Sequence, residues 1–180
     1  MIFHRVIQQI CAFTVISCAL VAPSLSQAGR GPSTSEETAR VVQLALASDK
    51  DPIATMSSAD GRWFEKWADE VPDYSFGPDA GTFWLESGAA KGDMVRVVRF
   101  HHGVSAAAYQ VQHAMFDPQR KKEDMEAKTL AGVEGLLRAY ESLLAKRPEN
   151  RSQALDEAIV LRNNGGLADF VKKLPAMPRR

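Results

Sequence analysis

Residues 93–117, DMVRVVRFHHGVSAAAYQVQHAMFD, admit two readings, and the choice between them sets the fold class. In one, Met94 to Phe100 is a Val-rich strand, hairpinned across Lys91-Gly92 to the segment before it, giving an α+β fold with a hairpin at about 82–103. In the other the stretch is one long helix. Alternation is poor for a strand, because Val97 and Val98 are adjacent. Arg96, Arg99, Gly103, Ala106, Gln110, His113 and Asp117 recur at intervals of three and four, a polar or small stripe along one helical face. The helical reading is preferred, with Asp93 as its cap and Pro118 as its stop.

Outward from this stretch the signals are helical. Thr34 and Glu37 have capping-box spacing, and the helix they open carries Val41, Leu44 and Ala45 inward to about Ser48. Asp51-Pro52 starts a second helix, since Asp caps free N–H groups and Pro at the first position has none to lose. That helix carries Ile53, Met56, Trp63, Phe64 and Trp67, with a break expected near Gly61 and an end at Val71-Pro72-Asp73. Gly77-Pro78-Asp79 reads as a loop before a short helix through Phe83, Trp84 and Leu85.

Downstream, Leu130, Val133, Leu137, Tyr140 and Leu144 recur at three and four residues within a helix of about Lys122 to Lys146. Pro148 closes it, Ser152 caps a helix with Leu155 and Ile159, and Asn164-Gly165-Gly166 permits a left-handed ending. A last helix holds Leu167, Phe170, Val171 and Leu174. Leu136, Tyr140, Leu143 and Pro148 resemble the second-helix spacing of tetratricopeptide-type hairpins, over one hairpin only, with no 34-residue repeat elsewhere. The expectation is an all-α, compact bundle of about six helices, one hairpin of it tetratricopeptide-like, in a single domain over 34–174. A flexible lead-in at 29–33 and a loose basic tail at 175–180 flank it.

The chain has 180 residues, 45% apolar and 24% charged, with 22 basic and 22 acidic side chains, so it lacks the basic excess of a nucleic-acid-binding domain. Residues 1–28 read as a secretory signal: Arg5 in a basic start, an apolar run from Ile10 to Ala22, and small residues before a cleavage point between Ala28 and Gly29. That run is shorter than the roughly 20 residues needed to span a bilayer. The expected location is the periplasm, or secretion from a bacterium. A competing reading takes Val15-Ile16-Ser17-Cys18 as a lipobox, which would leave a lipoprotein anchored to the membrane through Cys18. Cleavage after Ala28 removes both cysteines, Cys11 and Cys18, and with them disulfides, thiolate metal sites and cysteine nucleophiles.

His101, His102 and His113 are the metal candidates in a chain without thiols, but spacing opposes a shared ion. Eleven helical residues put His102 and His113 about 16 Å apart, and adjacent His101 and His102 diverge by about 100°. Gly103-Val104-Ser105-Ala106-Ala107 approximates a nucleophile elbow without its final glycine and without an acid between Ser105 and His113. Trp63, Phe64 and Trp67 would suit a peptide or glycan contact, or an inward apolar stripe between Glu65, Lys66, Asp69 and Glu70. No phosphate-binding glycine loop or calcium loop occurs, and no cofactor is expected.

The functional expectation is therefore a non-enzymatic binding or adaptor protein engaging another envelope protein, with Trp63, Trp67, His101, His102 and His113 as candidate binding residues. Its rivals are an envelope hydrolase using the His and Ser residues at 101–113, and a carrier of a small apolar ligand between helices.

Overall fold

The computed structural model describes residues 30–175. The signal segment, both cysteines, the cleavage point at Ala28 and Gly29, and residues 176–180 of the basic tail lie outside the described residues. Regular structure among the described residues is entirely helical: α1 (Ser35–Ser48), α2 (Pro52–Ser57), α3 (Ala59–Glu70), α4 (Ala80–Trp84), α5 (Asp93–Gln112), α6 (Lys122–Lys146), α7 (Gln153–Asn163) and α8 (Leu167–Lys173). One π-helical turn, Leu85–Ala89, extends α4, and 3-10 turns stand at Pro118–Arg120 and Pro148–Asn150.

The all-α reading holds, and the 82–103 hairpin is replaced by α4, the π-turn and the start of α5. The helix expected from Asp51 to Glu70 is two, α2 and α3, hinged at Ser58 rather than at Gly61. Ser58 is extended (ψ 169°) and its hydroxyl accepts from the Gly61 N–H at 2.9 Å. Gly61 serves the corner differently: a Cβ there would lie 2.5 Å from the carbonyl oxygens of Thr55 and Met56.

The capping signals explain the other boundaries. Thr34 and Glu37 form the reciprocal box that opens α1. The Asp51 carboxylate accepts from Ala54 N–H, and the Ser152 hydroxyl caps α7. Asp93 is not the cap of α5. Gly92, at φ 59°, takes that position, and Asp93 falls in the first turn, where its charge favours the positive end of the helix dipole. The helix also stops before Pro118, because Ala114 turns left-handed (φ 48°) just beyond its C-cap, His113.

α5 separates two apolar clusters. On one side Met94 and Val98 join Leu85, Val133, Leu136, Leu137, Tyr140, Leu143, Leu155, Leu167 and Val171. On the other, Phe100, Val104, Ala107 and Ala108 join Val41, Leu44, Phe64, Trp67 and Val71. A helix buried on two sides needs apolar residues around most of its circumference, which is why its pattern looked ambiguous. Each fully buried aliphatic side chain contributes on the order of 2 kcal/mol.

α5 and α6 approach most closely where α6 carries Gly132 and Gly135. A Cβ on Gly132 would come 2.6 Å from His102 Nε2, and one on Gly135 would overlap the Ser105 hydroxyl. Substituting Gly135→Ala is expected to destabilise the protein by about 1–3 kcal/mol in urea unfolding, although alanine favours an isolated helix by about 1 kcal/mol, because the helices must part. An unchanged or raised stability would show that the crossing has slack.

Candidate functional site

The histidine pair of α5 points into two different surroundings. His101 is fully buried, and its Nε2 lies 2.8 Å from the Pro52 carbonyl at the start of α2, where the N–H form of that nitrogen donates. Burial pushes its pKa down to about 4, against a smaller upward pull from that carbonyl and from Asp49. His102, one residue on, turns toward α4 and α6 and sits in space left by Gly81 and Gly132.

Beside His102 stand two groups that the sequence reading did not single out, Asp79 and Lys128. Asp79 Oδ1 is 3.2 Å from His102 Nε2, close in distance but not aligned as a hydrogen bond. Asp79 Oδ2 is 3.8 Å from the Lys128 ammonium, which donates to the Gly77 carbonyl at 2.6 Å. The same carboxylate caps α4 by accepting from Thr82 N–H at 3.0 Å. Asp79, His102 and Lys128 are each at most 4% exposed. Burial lowers the pKa of His102, with Asp79 opposing and Lys128 reinforcing the shift, and burial also lowers that of Lys128 against the pull of Asp79. The cluster is best described as a neutral imidazole beside a carboxylate–ammonium pair.

Gln110, part of the polar or small stripe of α5, is fully buried. Its amide donates to the carbonyls of Ser75 and Met115 at 3.1 and 3.2 Å, drawing the 72–79 loop across the helix and covering Ala106. A cavity of about 40 Å³ remains among Asp79, Thr82, His102, Ala106, Gln110 and Lys128.

The remaining expected residues do not join this cluster. Ser105 packs against Gly135 and borders a separate groove between α1, α5 and α6. His113 is exposed, stacked on Tyr109 with ring centres 4.0 Å apart. Trp67 is in the core, stacked on Trp63 at 5.7 Å, while Trp63 is half-buried beneath the Arg40 guanidinium, 4.0 Å from its ring centre. No group of three or more His, Cys, Asp or Glu among the described residues is arranged to hold a metal ion.

A larger surface feature lies between α3 and the first half of α5. Phe64, Val95, Phe100 and Gly103 form the apolar floor of an open groove of about 510 Å³, with Glu65, Arg96 and Arg99 along it. Arg99 pairs with Glu86 at 3.1 Å. Arg96 has no ion-pair or hydrogen-bond partner among the described residues. An apolar, aromatic floor beside one arginine without an ion-pair partner among the described residues suits an amphipathic segment bearing a carboxylate.

Compared with known protein families, with curated proteins and with solved structures, the chain finds no match.

The histidine environments set a pH dependence. Both imidazoles have a lower pKa folded than unfolded, so the unfolded chain binds more protons below pH 6.5. Stability contributed by the neutral His101 ring is present above pH 6.5 and lost as pH falls toward 4, and the His102 shift acts in the same direction. For His101 alone that is about 3 kcal/mol. Thermal unfolding followed from pH 7 to 4.5 is expected to show a falling midpoint. The loss should shrink in His101→Gln, and an equal loss in that variant would contradict the assignment.

Proposed function

We propose that this is an exported, envelope-associated helical adaptor that holds a segment of a partner protein in the α3/α5 groove. The groove carries the reading: about 510 Å³ of open space over Phe64, Val95 and Phe100, with Arg96, which has no partner among the described residues, beside it. A partner helix would bury its apolar side chains on the Phe64–Phe100 floor, and its carboxylate would meet Arg96. Export rests on the signal layout of residues 1–28, and free release rather than a lipid anchor at Cys18 rests on the small residues before Gly29. No helix of the described residues is long and apolar enough to cross a membrane. A binding role is favoured over hydrolysis because His101, His102, Ser105 and His113 face four different surroundings, whereas a catalytic set must converge on one reacting atom.

Gly103 offers a clean test, since a Cβ placed there meets no atom within 4 Å. Gly103→Phe would add a ring at the groove from a Cβ that meets no other atom, and would remove a helix-weakening glycine. In affinity isolation from the native envelope fraction, wild-type protein is expected to retain a stoichiometric partner. Gly103→Phe is expected to bind it at least about tenfold more weakly at an unchanged or higher thermal midpoint. Equal retention by both proteins, or no partner with either, would overturn this assignment.

A further inference from the structure

We propose that the small cavity between the 72–79 loop, α5 and α6 is a binding site for one or two internal water molecules, which complete the Asp79–His102–Lys128–Gln110 cluster. Three buried polar atoms on residues that line this cavity have no hydrogen-bonding partner among the described residues: Asp79 Oδ2, His102 Nε2 and Gln110 Oε1. Each belongs to a side chain at least nine-tenths buried. A buried polar atom left unpaired costs about 1–3 kcal/mol, so three around one space call for an occupant that bonds to them.

The donors and acceptors select its class. Gln110 is held with its amide N–H groups on the Ser75 and Met115 carbonyls, which turns its oxygen to the acceptor role. Asp79 Oδ2 also accepts. An occupant must therefore donate twice, which excludes a simple anion. A metal cation is opposed by the Lys128 ammonium, 3.8 Å from that same carboxylate oxygen. Lys128 spends one N–H on Gly77 and retains two, so the occupant must accept as well. A small amphoteric molecule meets all of these demands. The volume of about 40 Å³ holds one or two waters, given that a site needs roughly 10–15 Å³ per water.

The site has a structural consequence. The 72–79 loop is held to α5 and α6 by polar contacts at Ser75, Gly77 and Asp79, and the waters join those contacts into one network. Gly103 borders both this cavity and the α3/α5 groove, so the network also supports the inner end of the groove.

Water-oxygen-17 magnetic relaxation dispersion counts long-lived internal waters, and comparison with Ala106→Val isolates this site, because Ala106 lines the cavity. The wild type is expected to show one or two more such waters than the variant. The variant's thermal midpoint is expected to fall below that of Ala47→Val, an exposed helical control, since a methyl group in a polar wet site leaves unpaired atoms behind. In a dry site the added methyl would stabilise instead. An equal water count in the two proteins, or a raised midpoint for Ala106→Val, would overturn the proposal. Should Ala106→Val fail to fold, a high-resolution crystal structure of the wild type decides. Water bonded to Asp79 Oδ2 and Gln110 Oε1 supports the site, whereas a dry cavity, a chloride or a metal ion there refutes it.

Discussion

The structure depends on one close crossing, that of α5 on α6, where Gly132 and Gly135 leave room for the His102 ring and the Ser105 hydroxyl. Side chains larger than hydrogen at those positions would push the helices apart and open both apolar clusters that α5 divides. Gly81 contributes from α4 in the same way, since a Cβ there would come 2.5 Å from His102 Nε2. The imidazole on α5 thus fits against two other helices, α4 and α6, where each carries a glycine. The α6/α7 hairpin builds outward from this crossing, with Tyr140 accepting from Ser152 N–H at 2.7 Å and donating to Asp156 at 3.0 Å.

Polar groups inside the bundle give it specificity more than strength. Burying Lys128 and Asp79 costs several kcal/mol per charge before their attraction offsets it, so the pair is weak evidence for stability in itself. Its effect is positional. Asp79 caps α4, faces His102 and faces Lys128, and Lys128 reaches across to the Gly77 carbonyl, so the 72–79 loop has one register over α5 in which these groups are compensated. Tyr74 and Phe76, stacked with ring centres 5.5 Å apart, pack beside it against Trp67 and Phe116.

Much of this fold was legible in the sequence, because helix ends carry local chemistry. The Thr34–Glu37 box, Asp51-Pro52, Ser152 and Gly165 each act over a few residues, and the structure uses all four as their chemistry requires. The candidate site was much less legible. His101 and Gln110 look like surface or ligand residues on α5, yet their partners are carbonyls of Pro52 and Ser75, 49 and 35 residues away. No periodicity within α5 announces a carbonyl that a distant loop brings to it. Lys128 was hidden differently. The stripe Leu130, Val133, Leu137, Tyr140 is only part of the inward face of α6, and Thr129, Gly132, Leu136, Ala139 and Leu143 form a parallel buried stripe. Spacing alone could have revealed that second stripe, and Lys128 borders it. Asp79 had a local signal too, its N-cap spacing to Thr82, which reads as capping and conceals its other two contacts.

α5 is buried on both sides, and its histidines are neutral core residues rather than titrating surface groups. Nitrogen-15 NMR of the imidazole rings measures that directly. The His101 ring is expected to be uncharged at pH 5.5, with a fixed tautomer, and His102 to protonate below the ordinary imidazole range. Protonation of His101 and His102 near pH 6.5 in a chain that stays folded would contradict the account.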